Sequence, residues 1–507
     1  MFLLNVKAMI VVLVTALIMF ALLKPMFLRF MDPEDFGRRR TLWFIHAGAA
    51  FLSPSFWIYL VIALPTLIWA VRRDSNPIAI WLFIVFAVPP VNVAIPLPLV
   101  QTFTTISQEH MLGMFVLFPM ALHYLHGQRP PRSTTIKVMD TLLLSYIAYQ
   151  LALAFPYDSL TGELRRAFTL LLDNFLVYFV FSRYISDKRR LVDVMAGLCL
   201  PAVVMAPLAL FESSRNWLLF TLIGEVWGQV NEFAWLFRGA SLRSQLTMGH
   251  SIAMGYVMAT ALGFWLYLRT EVKGMGLRWA VVPLLCGAIL VSYSRGAWAQ
   301  AALLPILMFV LAPNRSTAHF KSLIVAGLVA FGVYLTPLGE RIADLLPFIG
   351  NSSQDTVDYR QQIAELSWQL VQQHPVFGNP FAGAQMESLR QGQGLIDMVN
   401  IYASVAIFQG LVGLAMFGGF FMAGTLGGYF RMRQARFEDT DLALMGAALV
   451  AVMVTTVLIM ATTPGVWFMW VMAGVLAAYT NIHVEAFAPA AATPRELHRF
   501  SGRYARG

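Results

Sequence analysis

The residues best suited to chemistry in this chain are a few arginines and one histidine in its polar interruptions. Arg295 stands in Ser292-Tyr293-Ser294-Arg295-Gly296-Ala297-Trp298, between two apolar runs with almost no loop between them. Arg360 begins a run that passes Trp368 and closes on His374-Pro375-Val376-Phe377-Gly378. Upstream, Arg238, Arg243 and His250 lie in the polar segment that precedes another apolar run. Guanidinium forks suit phosphate oxygens because they present several donors in one plane. An imidazole with an unperturbed pKa near ~6.5 can take a proton from a hydroxyl at neutral pH. Fixed cations with a base are the equipment for displacing a lipid diphosphate from a sugar, the arginines stabilising the leaving charge that other enzymes assign to magnesium. Arg238, Arg243, His250, Arg295, Arg360 and His374 are the candidate residues for such chemistry.

Each of these residues also has an ordinary reading. An arginine at the end of an apolar run can snorkel to the membrane interface. A histidine there is more often a hydrogen-bonded interfacial group than a catalyst, and charges on a loop helix are usually solvated. Arg360 and His374 share a face of a straight helix but stand roughly 21 Å apart at 1.5 Å per residue. They can serve two ends of a long substrate, and they grip one phosphate only if the helix bends.

The elements that must hold these residues are mostly membrane spans. Of 507 residues, 58% are hydrophobic and 12% charged, and the mean hydropathy is +0.66. That composition is the mark of a polytopic helical membrane protein. Runs such as Ala8 to Leu23 and Trp57 to Val71 approach the ~20 apolar residues that cross a bilayer, and backbone amides in lipid must pair internally, which makes the runs helices. The first run is followed by Lys24-Pro25-Met26-Phe27 and not by a small-residue cleavage site, so it is read as a span and not as a signal peptide. The two cysteines, Cys199 and Cys286, both sit in apolar runs, which excludes a disulfide framework. The histidines lack ligand spacing, so no metal site and no cofactor is expected.

The expected fold is all-α, a bundle of about 12–14 spans by the ~20-residue criterion, with a long periplasmic loop that contains an amphipathic helix. Ile363, Leu366 and Leu370 recur at helical spacing between Thr356 and Gln373. Pro375 ends that helix at His374. The net charge of +9 is read as topology and not as nucleic-acid binding, because cytoplasmic loops carry excess Lys and Arg. Arg72-Arg73, Arg129 to Lys137, Lys188 to Arg190, Arg269 to Arg278, Asn314 to Lys321 and Arg431 to Arg436 then lie inside, with both chain ends. The segments Glu212 to His250 and Pro337 to Asn400 lie outside, and Arg38-Arg39-Arg40 falls outside against the rule. The expected organisation is amino-terminal spans over 1–211, a core over 212–427 with external segments 212–250 and 337–400, carboxy-terminal spans over 428–485 and a cytoplasmic tail over 486–507.

Three motifs resemble the O-antigen ligase and O-antigen polymerase superfamily of bacterial envelope glycosyltransferases. They are Arg243 to Gly255, Ser294-Arg295-Gly296-Ala297-Trp298, and Arg360…Trp368…His374-Pro375-Val376-Phe377-Gly378 followed by Asn400 and Gly410-Leu411-Val412-Gly413-Leu414. The resemblance implies a multi-pass protein of the bacterial inner membrane with a metal-independent transferase site facing the periplasm. Its donor would be an undecaprenyl-diphosphate-linked glycan and its acceptor a glycan or lipid hydroxyl. Arg243, Arg295 and Arg360 would meet phosphates, His374 would be the base, and Asn400 would join the substrate-binding set. Asn379-Pro380 follows Gly378 where the family has a second glycine, and Val399 stands where a histidine often precedes the asparagine. The rival reading is a polysaccharide flippase or other transporter, for which Asp173 is the candidate ionisable residue within a span, with Asp140 nearer an end.

Overall fold

The computed structural model describes residues 2–487 apart from 98–99, 128–130, 229–234, 239, 273, 275, 314–323, 325–326, 328–353, 391–397, 399, 438 and 464. The span expected around Leu328, the basic loop from Asn314 to Lys321, Val399 and the tail beyond residue 487 lie outside the described residues. The helices, in chain order, are α1 (Phe2–Phe27), α2 (Pro33–Leu52), α3 (Phe56–Val71), α4 (Pro77–Val85), α5 (Gln108–Leu112), α6 (Phe118–His126), α7 (Thr134–Ala154), α8 (Leu160–Thr169), α9 (Val177–Tyr184), α10 (Lys188–Arg215), α11 (Thr221–Val226), α12 (Ser251–Leu268), α13 (Leu277–Leu290), α14 (Arg295–Leu311), α15 (Gln354–Gln373), α16 (Ala382–Gln385), α17 (Ile401–Ala435), α18 (Thr440–Ile459) and α19 (Phe468–Phe487). Among the described residues the sheet consists of two small antiparallel hairpins, β1 (Val93–Leu97) with β2 (Val100–Ile106) and β3 (Phe237–Arg238) with β4 (Ser241–Leu242).

The chain is an all-α polytopic protein. Helices α1, α7, α10, α12, α17 and α18 are long and apolar enough to cross a membrane, and α3, α13, α14 and α19 are shorter apolar helices. Helices α10 and α12 are buried on almost every side, the expected place for helices that are hydrophobic all round. Starts are fixed by local caps. Asp32 accepts the Glu34 amide with Pro33 at the first position, Asp187 accepts the Arg190 amide, and Asn400 accepts those of Tyr402 and Ala403.

The basic loops gather at one end of the bundle. Arg39 donates to Asp74 (2.7 and 3.0 Å) and to Asp193 (2.7 and 2.9 Å), joining α2, the turn after α3 and the start of α10. Lys188 reaches Asp441 at 2.5 Å, Tyr267 donates to the same carboxylate, and Arg436 donates to the Leu311 carbonyl. Two sequence expectations are corrected here. Arg38 to Arg40 lie at the basic end with Arg72-Arg73 and Lys188 to Arg190, so they obey the charge rule. Helix α2 was missed as an element because Asp35, the three arginines and His46 break its hydropathy. Arg39 is fully buried against carboxylates distant in sequence, and His46 is buried against the Tyr59 hydroxyl at 2.8 Å. With α2 present the direction of α1 reverses. Asn5 donates to the Phe51 carbonyl, which puts the amino-terminal residues at the end opposite the basic loops.

Two of the expected domain borders, 211/212 and 427/428, fall inside α10 and α17. Trp227, in the segment between Glu212 and His250, is buried against Phe56 and Tyr59 and donates to the Ser53 carbonyl.

Candidate functional site

Helix α15 is amphipathic, as its spacing required. Ile363 and Leu370 are buried with Ala382, Met386, Leu389 and Ile407 in a small apolar cluster separate from the main core. The helix ends at Gln373, and the next residues lock into a break in α17. Gly410 interrupts that helix with φ 65° and ψ −169°. The freed amides of Leu411 and Val412 donate to the carbonyls of Pro375 (2.8 Å) and Val376 (3.2 Å), and the Asn379 amide donates to the Ile407 carbonyl at 2.8 Å. A Cβ on Gly410 would lie 2.3 Å from the Val376 oxygen, and one on Gly378 would lie 2.4 Å from the Gly410 nitrogen. Both chains approach too closely for any other residue. Tyr149 donates to the Gln409 carbonyl at 2.9 Å and closes the joint. The joint therefore fixes α15, and with it Arg360, relative to the bundle.

Arg243 is placed by a second set of contacts. Its amide donates to the Leu236 carbonyl, its Nε donates to the Ser292 carbonyl at 3.1 Å, and the Ser244 amide donates to the Val291 carbonyl at 3.0 Å. The loop bearing Arg243 is thus tied to the turn that leads into Arg295. Tyr293 in that turn has φ 48°, a costly conformation for a bulky residue and one that clusters at functional sites. Helix α14 then starts at Arg295. Its second residue, Gly296, allows the close approach of Thr462, whose hydroxyl would lie 2.9 Å from an added Cβ.

These elements bring Arg238, Arg243, Arg295 and Arg360 around one cavity of about 390 Å3, together with Tyr293, Ser294 and Thr462. No carboxylate is among its described lining residues. The Arg238 guanidinium is held below the usual arginine range, first by burial and then by the charges of Arg295 and Arg360. Arg295 Nε is buried without a hydrogen-bond partner among the described residues. Clustered guanidinium groups of this kind are suited to receive an anion. A second cavity of about 590 Å3 adjoins the first and shares Arg360 and Thr462 with it. Its walls are mostly apolar side chains of α15 and α17, such as Ile363, Val371, Leu411 and Leu414, with Trp368 and Asn400.

The two histidines are placed differently. His250 caps α12, its Nδ1 accepting the Ile252 amide at 3.0 Å, which leaves the proton of the neutral ring on Nε2. Burial, and then the Arg243 charge, push its pKa down to about 4, so it is neutral at pH 7. It stands beside the arginine cavity, and its neighbour Ile252 lines it. His374 is exposed at the end of α15 and is not among the described lining of either cavity. The structure thus unites the four arginines, sets Asn400 in the adjoining cavity, and leaves His374 at the joint. Tyr293 and Ser294 were visible in the sequence only as neighbours of Arg295. Thr462 had no signal, because it arrives from the far end of α18. Among the described residues no His, Cys, Asp or Glu cluster is placed to hold a metal. Asp140 is paired with Arg183 and Arg132, and Asp173 with His110.

The architecture is that of a helical membrane protein with a cationic cavity at one end of its bundle. Residues 279–418 match the family model of the O-antigen ligase domain. The matched stretch contains Arg295, Arg360, His374 and Asn400, whereas Arg238, Arg243 and His250 lie before it. No curated protein matches the chain.

Proposed function

We propose that the chain transfers or polymerises a glycan from an undecaprenyl-diphosphate-linked donor onto a sugar hydroxyl of a glycan or lipid acceptor, in O-antigen or exopolysaccharide synthesis. The observation that carries this reading is the convergence of four guanidinium groups on one cavity with an apolar cavity beside it. The diphosphate fits the first and the adjoining hydrocarbon of the carrier fits the second. The site lies at the end opposite the basic loops, and the positive-inside rule assigns that end to the periplasmic face.

In the reaction, the acceptor oxygen forms a bond to the anomeric carbon of the donor sugar as the bond from that carbon to the diphosphate oxygen breaks. The departing diphosphate keeps the electron pair, and Arg238, Arg243, Arg295 and Arg360 neutralise its charge, with no metal required for that task. His374 is the group proposed to take the acceptor proton. It stands roughly 21 Å along α15 from Arg360 at 1.5 Å per residue, so it acts on the acceptor side of the site, away from the diphosphate.

The test is reconstitution of the full chain in proteoliposomes with an undecaprenyl-diphosphate-linked oligosaccharide and candidate acceptors. New glycosidic bonds, lost in Arg295→Ala, support the reading. Passage of the lipid-linked oligosaccharide across the bilayer with no new bond would establish a flippase instead.

A further inference from the structure

Glu212 ends an almost wholly apolar helix, and nothing in the chemistry above uses it. It belongs to the last turn of α10 and is completely buried. A buried carboxylate is costly unless every oxygen is hydrogen-bonded. Here Oε1 accepts the Leu219 amide at 3.0 Å, while Oε2 accepts the Ser244 hydroxyl at 2.7 Å and the amides of Leu246 and Gln245 at 3.1 and 3.2 Å. All four donors are neutral. The Glu212 side chain therefore serves as an internal acceptor around which the loop folds, in place of hydrogen bonds the loop would have to make with itself.

The loop needs such support. Leu246 has φ 50°, a left-handed conformation that persists only when its surroundings over-determine it. The same turn of α10 also grips the residue before Arg243. Ser213 donates to the Leu242 carbonyl, and the Leu242 amide donates to Asn216, itself at φ 48°. Arg243 is thus clamped on both sides from α10. The hydrogen bonds from Ser244 to Val291 and from Arg243 to Ser292 extend that clamp to the turn before Arg295. Glu212 itself lines neither cavity.

We propose that Glu212 is a positioning residue for the arginine cavity, a buried acceptor that sets Arg243, and through it the turn before Arg295, in the spacing a diphosphate requires. The link to diphosphate rests on the proposed function; the ordering of the loop does not.

Two measurements on the purified full chain in nanodiscs test it. The first is hydrogen exchange of the ligand-free protein. Glu212→Gln keeps the shape but offers one acceptor oxygen where the carboxylate offers two, so the amides left facing its NH2 group, that of Leu219 or those of Gln245 and Leu246, should exchange about tenfold faster or more, with α12 unchanged. The second is a double-mutant cycle with inorganic pyrophosphate as the probe. Glu212→Gln should weaken binding about tenfold in the wild-type background and less than about twofold in Arg243→Ala. A merely structural role would give equal losses in both backgrounds. Unchanged exchange at all three amides, Leu219, Gln245 and Leu246, overturns the inference, and so does additivity in the cycle. A wild-type protein that ignores pyrophosphate sinks the proposed function, while the exchange result still decides whether Glu212 orders the loop. If Glu212→Gln fails to fold, Ser244→Ala deletes the shortest of the four hydrogen bonds. It should move both readouts in the same direction, and no movement in either overturns the inference.

Discussion

Arg295→Ala should make the empty protein more stable and the ligand-binding protein weaker. In the structure the Arg295 charge faces Arg238 and Arg360 across the cavity, and its Nε is buried without a partner among the described residues. Removing the guanidinium relieves like-charge repulsion and one unsatisfied donor, so the thermal midpoint without ligand should rise or stay level. Binding should change in the opposite sense. A hydrogen bond to a charged group is worth about 1.5–3 kcal/mol, which corresponds to a loss of roughly 10- to 150-fold in pyrophosphate affinity. Thermal unfolding with and without ligand reads both effects. At a concentration 100 times the wild-type Kd, binding stabilises the wild type by about 2.7 kcal/mol. A variant about 30-fold weaker gains only about 0.9 kcal/mol at the same concentration. Arg295→Lys should fall between the two, since it keeps the charge and loses the fork. A ligand-free Arg295→Ala protein that unfolds earlier than wild type, or one that keeps the full ligand-induced gain, would refute the reasoning. Either result would mean that Arg295 is a structural arginine.

Gly410→Ala should lower the thermal midpoint and open the segment from 374 to 380 to protease, because the added carbon meets the Val376 carbonyl and the φ of 65° is strained for alanine; a wild-type cleavage pattern would contradict the joint. Arg39→Ala strands two buried carboxylates, Asp74 and Asp193, and should cost about 3–5 kcal/mol in an unfolding assay; a loss under about 1 kcal/mol would show the cluster to be incidental. The folded pKa of His250, about 4, lies below its unfolded value of ~6.5. The unfolded chain therefore binds the extra proton between those pH values, and stability is fully present above pH ~6.5 and falls as pH drops toward 4. His250→Asn keeps a capping acceptor and should flatten that slope; an unchanged slope would assign it to other groups. His374→Ala should abolish glycan transfer in proteoliposomes and leave pyrophosphate affinity within about twofold of wild type, since the imidazole is exposed and away from the arginine cavity; full transfer would remove His374 from the mechanism.

The sequence made the spans legible because hydropathy reports the lipid-facing and core-facing residues together. The amphipathic period of Ile363, Leu366 and Leu370 gave α15, and Pro375 gave its end. The arginines were legible as the cations that the membrane setting could not leave unused. What escaped the sequence depends on contacts between distant residues. Helix α2 looks too polar to be buried until Asp74 and Asp193 arrive to pair with Arg39. The break in α17 has no local cause except Gly410, and its meaning comes from the carbonyls of Pro375 and Val376 that replace the lost helical bonds. Thr462 and Glu212 come to the site from helices whose sequence pattern speaks only of span ends. The direction of α1 went wrong for the same reason as α2, since one missed crossing inverts everything before it.

The most direct test of the arginine cavity as the seat of the donor diphosphate is an experimental structure of the full chain with undecaprenyl diphosphate bound. The expected result is phosphate oxygens within hydrogen-bond distance (about 2.7–3.2 Å) of the guanidinium groups of Arg238, Arg243, Arg295 and Arg360, with the first isoprene units between α15 and α17. Phosphates bound at the Arg39 end of the bundle, or in the adjoining apolar cavity without any contact to Arg295, would contradict it.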